Sequence, residues 1–165
     1  MKKFMILVLT ALTLTLTACG GNGNAEAPVD ADLQGFYDTI AEEFHWEDGY
    51  LVDIEGEMLE SYYPGLSEVA TRQFIAKMPM MSSVVNELVF LQCETEEDAA
   101  KASEILQNRI DYQVGDENNP GGAWYPESIE AWKQGQVIQQ GTYVAMIASA
   151  EYQNTIAEQF NALFA

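Results

Sequence analysis

The chain has 165 residues, of which 26 are acidic and 7 basic, giving a formal net charge of −19. That charge repels phosphate backbones, and Arg72, Lys77, Lys101, Arg109 and Lys133 are too scattered to form a basic patch, so nucleic acid is excluded as a partner. A single histidine, His45, excludes a metal site built on two, and Cys19 and Cys93 are too few for a disulfide framework.

The N-terminus opens with Lys2 and Lys3, followed by an apolar run from Phe4 to Ala18. This has the size of a secretory h-region and is shorter than the roughly 20 residues a membrane-spanning helix requires. The run ends Leu16-Thr17-Ala18-Cys19-Gly20, which resembles the bacterial lipobox. The resemblance implies that Cys19 receives diacylglycerol on sulfur and becomes the first residue after cleavage. Two acyl chains suffice for stable anchoring. Residues 1–18 are therefore expected to be a lipoprotein signal peptide. Residues 19–31, rich in Gly, Asn and Ala, read as the lipidated cysteine and a flexible tether. Residues 32–165 read as one domain, since no repeat or second linker interrupts them.

Within that domain, Leu33, Phe36, Tyr37, Ile40, Ala41 and Phe44 form a single helical stripe, with Asp30 or Asp32 as the cap. A shorter helix is expected over 54–63, stopped by Pro64-Gly65. Val69–Lys77 and Glu87–Cys93 read as antiparallel strands. A long helix follows over 96–113, opened by a capping-box pattern at Thr95 and Asp98. Pro126 and Gly135 bracket a further short helix. Residues 136–149 read as a hairpin turning near Gln140-Gly141, and Ser149 is expected to cap the last helix, with Tyr152, Ile156, Phe160 and Leu163 on one face. The order α, α, β, β, α, α, β, β, α predicts an α+β fold: a small, mainly antiparallel sheet with helices packed largely on one face.

Catalytic signatures are missing. Gly65-Leu66-Ser67-Glu68-Val69 lacks the last glycine of a nucleophile elbow, and no glycine-rich phosphate loop occurs. The acidic groups Glu55, Glu57, Glu60 and Glu94, Glu96, Glu97, Asp98 read as solvated faces. His45 reads as a helix-terminal or packing histidine, Cys93 as a buried thiol, and Met78-Pro79-Met80-Met81 as core or turn packing. Trp46, Tyr62, Tyr63, Trp124, Tyr125 and Trp132 suffice to line a cleft or to build a core. One loop fits a calcium site in part. Counted from Asp116, Asn118 stands third, Gly121 sixth and Glu127 twelfth, but Pro120 and Trp124 fall at the fifth and ninth positions.

The lipobox at Cys19, Tyr63-Pro64-Gly65-Leu66, Met78-Pro79-Met80-Met81, Asn86-Glu87-Leu88-Val89-Phe90, the Ala99–Arg109 helix, Tyr125-Pro126-Glu127 and Gly141-Thr142-Tyr143-Val144 occur in that order. Together, over about residues 54–165, they resemble a family of small, uncharacterised lipoproteins of Gram-positive bacteria that carry a domain of unknown function. The resemblance implies a single α+β domain and supplies no activity, cofactor or catalytic residue. The expected function is a lipid-anchored accessory or binding protein on the outer face of the cell membrane, more a binder than an enzyme. It would hold to the membrane through Cys19 and bind a surface protein or a small ligand. The alternatives are a carboxylate-dependent hydrolase of glycan or peptidoglycan, and a calcium-stabilised structural module.

Overall fold

The computed structural model describes residues 30–81 and 83–165. The expected signal peptide, Cys19 and most of the expected tether lie outside these residues.

Helix α1 (Leu33–Glu43) starts where the Asp32 carboxylate accepts a hydrogen bond from the Gly35 N–H at 3.0 Å. It buries Leu33, Phe36 and Ile40, three residues of the expected stripe. Past its end, His45 is exposed with φ +55, a left-handed turn that histidine tolerates better than most residues. Strand β1 (Leu51–Asp53) precedes α2 (Gly56–Tyr62), and Pro64-Gly65 then turns the chain into a short 3-10 segment, Leu66–Glu68. Strands β2 (Thr71–Pro79) and β3 (Asn86–Cys93) follow. Helix α3 (Glu96–Val114) is capped by Thr95, whose Oγ1 accepts the Asp98 N–H. Helix α4 (Pro126–Lys133) has Pro126 in its first turn. A hairpin of β4 (Gln136–Gln140) and β5 (Tyr143–Ser149) leads to α5 (Gln153–Ala162).

Two boundaries differ from expectation. Ser149 ends β5 instead of capping α5. Tyr152 occupies the cap, and the Ser149 hydroxyl accepts the Tyr152 N–H one turn before the helix. Ala31 belongs to the core and not to the tether: it is buried, and its N–H donates to the Tyr143 hydroxyl.

The five strands form one sheet in the order β1-β2-β3-β5-β4, with every neighbouring pair antiparallel. Every residue of β3 and β5 is buried, so both faces of the centre must be covered. Side chains alternate across the strand. Val89, Leu91, Val144 and Met146 meet α2, α3 and α4, while Leu88, Phe90, Ala145 and Ile147 meet α1 and α5. The α+β class and the antiparallel sheet are as expected. One face carries the larger share of the helices, and the other, which the sequence reading left thin, is covered by α1 and α5. Phe36, Phe90 and Phe160 interlock there, with ring centroids 5.1–6.0 Å apart.

Phe160 is fully buried in this aromatic cluster, so Phe160→Ala should cost about 3–5 kcal/mol in urea unfolding. Thr95→Ala removes one cap from an exposed helix end and should cost about 1 kcal/mol.

Candidate functional site

Glu87 is the second residue of the all-buried β3, on the face covered by α3. An unpaired charge there would be prohibitive, and α3 supplies the partner. Arg109 Nε donates to Glu87 Oε1 at 2.8 Å and Nη2 donates to Oε2 at 2.9 Å, a bidentate pair with both side chains under a tenth exposed. The fully buried Tyr63 hydroxyl donates to the same Oε1 at 2.5 Å. Burial, and then the neighbouring Glu87 charge, push the Tyr63 phenol well above its ordinary range, so it stays a protonated donor. Burial alone would lower Arg109, but the hydrogen bonds and charge of Glu87 outweigh it and hold the guanidinium above its usual value. Aromatic rings enclose the cation: Tyr62 lies 4.3 Å, Trp132 5.5 Å and Tyr63 5.9 Å from it.

This cluster floors a groove. A compartment of about 240 Å³ lies between the end of β2, Val84 and Val85, Ala123 and Trp132. A second, of about 420 Å³, is walled by Ser61, Pro64, Ile105 and Asn108. Tyr62, Arg109 and Tyr112 line both and form the waist between them. Arg109 Nη1 makes no hydrogen bond among the described residues. Asn86, one residue before Glu87, points to the opposite face of the sheet, where it is 2 % exposed and neither its Nδ2 nor its Oδ1 has a partner among the described residues.

The sequence-predicted residues distribute differently. Tyr62, Tyr63 and Trp132 converge on Arg109, but Trp124 is 89 % exposed and Trp46 packs with Phe44, Tyr50 and Tyr152 on the opposite face. Met78 packs against the core, whereas Met80 and Met81 are exposed. Glu55, Glu57 and Glu60 are exposed, and Glu94 pairs with Arg72 at the surface. Two of the proposed calcium ligands, Asp116 and Glu127, line different cavities. Asp116 Oδ1 accepts the backbone N–H groups of Asn118 and Asn119, which holds its carboxyl below the usual range. The loop closes on itself through a bridge between Gly115 and Pro120, and a Cβ on Gly115 would collide with the backbone of Gly121. Asp116 lines a cavity beside this loop, and Glu127 lines a different one near Tyr152. Among the described residues, no group of three or more His, Cys, Asp and Glu side chains is placed to hold a metal.

The sequence reading missed Glu87 and Arg109 as site residues. A signal existed: Arg109 falls within the apolar stripe of Ala102, Leu106 and Ile110, and Glu87 opens an otherwise apolar run. Opposite charges inside two core patterns predict each other as partners.

Removing one member of the pair, as in Arg109→Met, strands a buried carboxylate and should cost about 3–5 kcal/mol in urea unfolding, whereas Arg109→Met with Glu87→Leu should recover most of that loss. Cys93 is buried, and desolvation, then the Asp98 charge, push its thiol up to about 11. At pH 8 it should react with iodoacetamide about 100-fold more slowly in the folded protein than in urea, measured by mass spectrometry. Because the folded value lies above the unfolded one, the thiol's contribution to stability is complete below pH 9 and is lost as pH climbs toward 11.

No curated protein and no solved structure matches the chain. A family model described as "Domain of unknown function (DUF4358)" matches residues 45–149. That range takes in all five strands and the residues that line the groove, leaving α1 and α5 outside. Covering more than half of the chain, the match shows that the protein belongs to the DUF4358 family, a family whose function is unknown.

Proposed function

We propose that this protein is a lipid-anchored binding domain on the outer face of the cytoplasmic membrane of a Gram-positive cell, and that the groove over Arg109 is where it binds. The observation that carries the binding reading is a buried guanidinium, neutralised by Glu87, with one nitrogen left without a partner at the waist of a two-compartment groove. The anchor reading rests on the lipobox-like Leu16–Cys19 sequence and the lysines before it. No helix among the described residues is long and apolar enough to cross a membrane, so attachment would depend on Cys19.

The groove chemistry favours binding over hydrolysis. A carboxylate that serves as general acid or base must exchange its proton with substrate. Both oxygens of Glu87 are already committed, to Arg109 and to Tyr63. The net charge of −19 turns away anionic polymers, so an occupant is neutral or cationic.

Two measurements test this reading. Cys19→Ala should move the protein from the membrane pellet to the soluble fraction, and retention in the pellet would remove the anchor from the proposal. Crosslinking in whole cells, through a photoreactive group at exposed Tyr112 beside the groove, should give an adduct with the wild type that is lost or much reduced when Ala123→Trp fills the smaller compartment. An adduct equally strong in both proteins would place binding elsewhere.

A further inference from the structure

We infer that the outer edge of β4 is a dimer seam, where Gln136–Gln140 pairs antiparallel with the same strand of a second copy and joins the two sheets into one. The seam is independent of the Arg109 groove, since β4 lines neither compartment.

The ladder leaves this edge open. The Cys93 N–H donates to the Thr142 carbonyl and the Ala150 N–H to the Val85 carbonyl, so the even-numbered residues from 142 to 150 turn their main chain toward β3. The odd-numbered Tyr143, Ala145 and Ile147 therefore bond Gln140, Ile138 and Gln136. That leaves Val137 and Gln139 with N–H and C=O directed away from the sheet, and among the described residues no hydrogen bond takes them.

Open edges invite pairing, and folded proteins blunt them with charge, proline, a bulge or shortness. The other edge, β1, has three residues and the Asp53–Lys77 ion pair. By contrast β4 has five residues, no charge, no proline and an unbroken register, in a chain with 26 acids. Its flanks continue the neutral strip. Asn154 and Asn161 of α5 bond Gln136 and Gln140 on one face, and Ser103 of α3 bonds Gln139 on the other.

Geometry selects a second copy over a lone strand. A two-fold axis through Ile138 sets Val137 opposite the counterpart of Gln139, and Gln139 opposite the counterpart of Val137, so every outward group finds a partner. Ile138 then meets its own counterpart across a closely spaced, non-hydrogen-bonded rung. Helices α3 and α5 each pack over both β4 and β5. With strands roughly 4.8 Å apart, a helix axis above that pair lies about 5 Å from the two-fold, so α3 comes within about 10 Å of its counterpart, and α5 likewise. That is the spacing of packed helices. A lone strand brings no helices, and its contact with β4 falls short of the roughly 800 Å² per partner of a stable interface. A second copy closes all three layers at once. Glu158, one turn on from Asn154, and the net charge of −19 on each copy oppose the approach, so salt should strengthen the pair.

The test is disulfide trapping of the full-length chain in whole cells. Ile138→Cys places two thiols across a rung whose Cα atoms lie about 4.5 Å apart, inside the disulfide range. Oxidation with copper phenanthroline should convert most of this variant to a reducible band of twice the chain's mass, absent from the wild type, whose Cys93 is buried. Gln136→Cys sets its thiols about 14 Å apart and should give about tenfold less. After lysis, raising NaCl from about 0.05 to 0.5 M should speed trapping about threefold. Gln139→Pro removes an outward N–H and leaves every β4–β5 bond in place, so it should melt close to the wild type and abolish the Ile138→Cys band. Equal bands from Ile138→Cys and Gln136→Cys would mean random collision and overturn the inference. So would no Ile138→Cys band, one that survives Gln139→Pro, or one that salt weakens. A band of another mass would give the edge to a different protein and overturn it too. If Gln139→Pro fails to fold, the comparison of Ile138→Cys with Gln136→Cys decides alone.

Discussion

The structure turns on the burial of β3 along its whole length. A strand apolar on both sides cannot lie at a surface, so one helical layer is needed over each face. It has β2 and β5 as neighbours, and β5 is buried in the same way. The short outer strands follow: β1 has only three residues, and its Asp53 meets Lys77 of β2 at 2.7 Å. A three-residue edge offers little template for another chain to pair with.

Placing Glu87 and Asn86 at the start of that same strand runs against its own logic. The two residues meet the conflict in different ways. Glu87 is satisfied in full by Arg109 and Tyr63. Asn86 is not satisfied at all among the described residues. A buried ion pair adds little net stability over an apolar replacement, and an orphaned amide subtracts from it. The two residues point to opposite faces of the sheet, so Glu87 with Arg109 belongs to the groove and Asn86 does not.

Much of the architecture could be read in the residues because its local signals agree. Asp32, Thr95 and Pro126 mark helix starts, and Pro64-Gly65 and Gly141 mark reversals. The unbroken apolar run Leu88–Leu91 points to a central strand. Strand β1 was invisible because Leu51–Asp53 is too short for alternation to show and exists only through its pairing with the end of β2. Ser149 misled because a capping residue type stood one turn early, where the strand ladder claimed it. The loop from Asp116 is likewise shaped by local backbone contacts. Asp116 Oδ1 accepts the N–H groups of Asn118 and Asn119, a turn that the spacing of the acids alone does not reveal. The groove lay beyond sequence reasoning because its parts come from α2, β3, α3 and α4, and only tertiary packing brings Tyr63, Glu87, Arg109 and Trp132 together.

The sheet also separates two ends of the molecule's working life. The first buried residue, Ala31, enters on the α1 and α5 side and is tied to Tyr143 there, while the Arg109 groove opens on the α2, α3 and α4 side. If the chain is held through Cys19 as proposed, the Arg109 groove lies on the face of the sheet away from the point where the chain enters the domain.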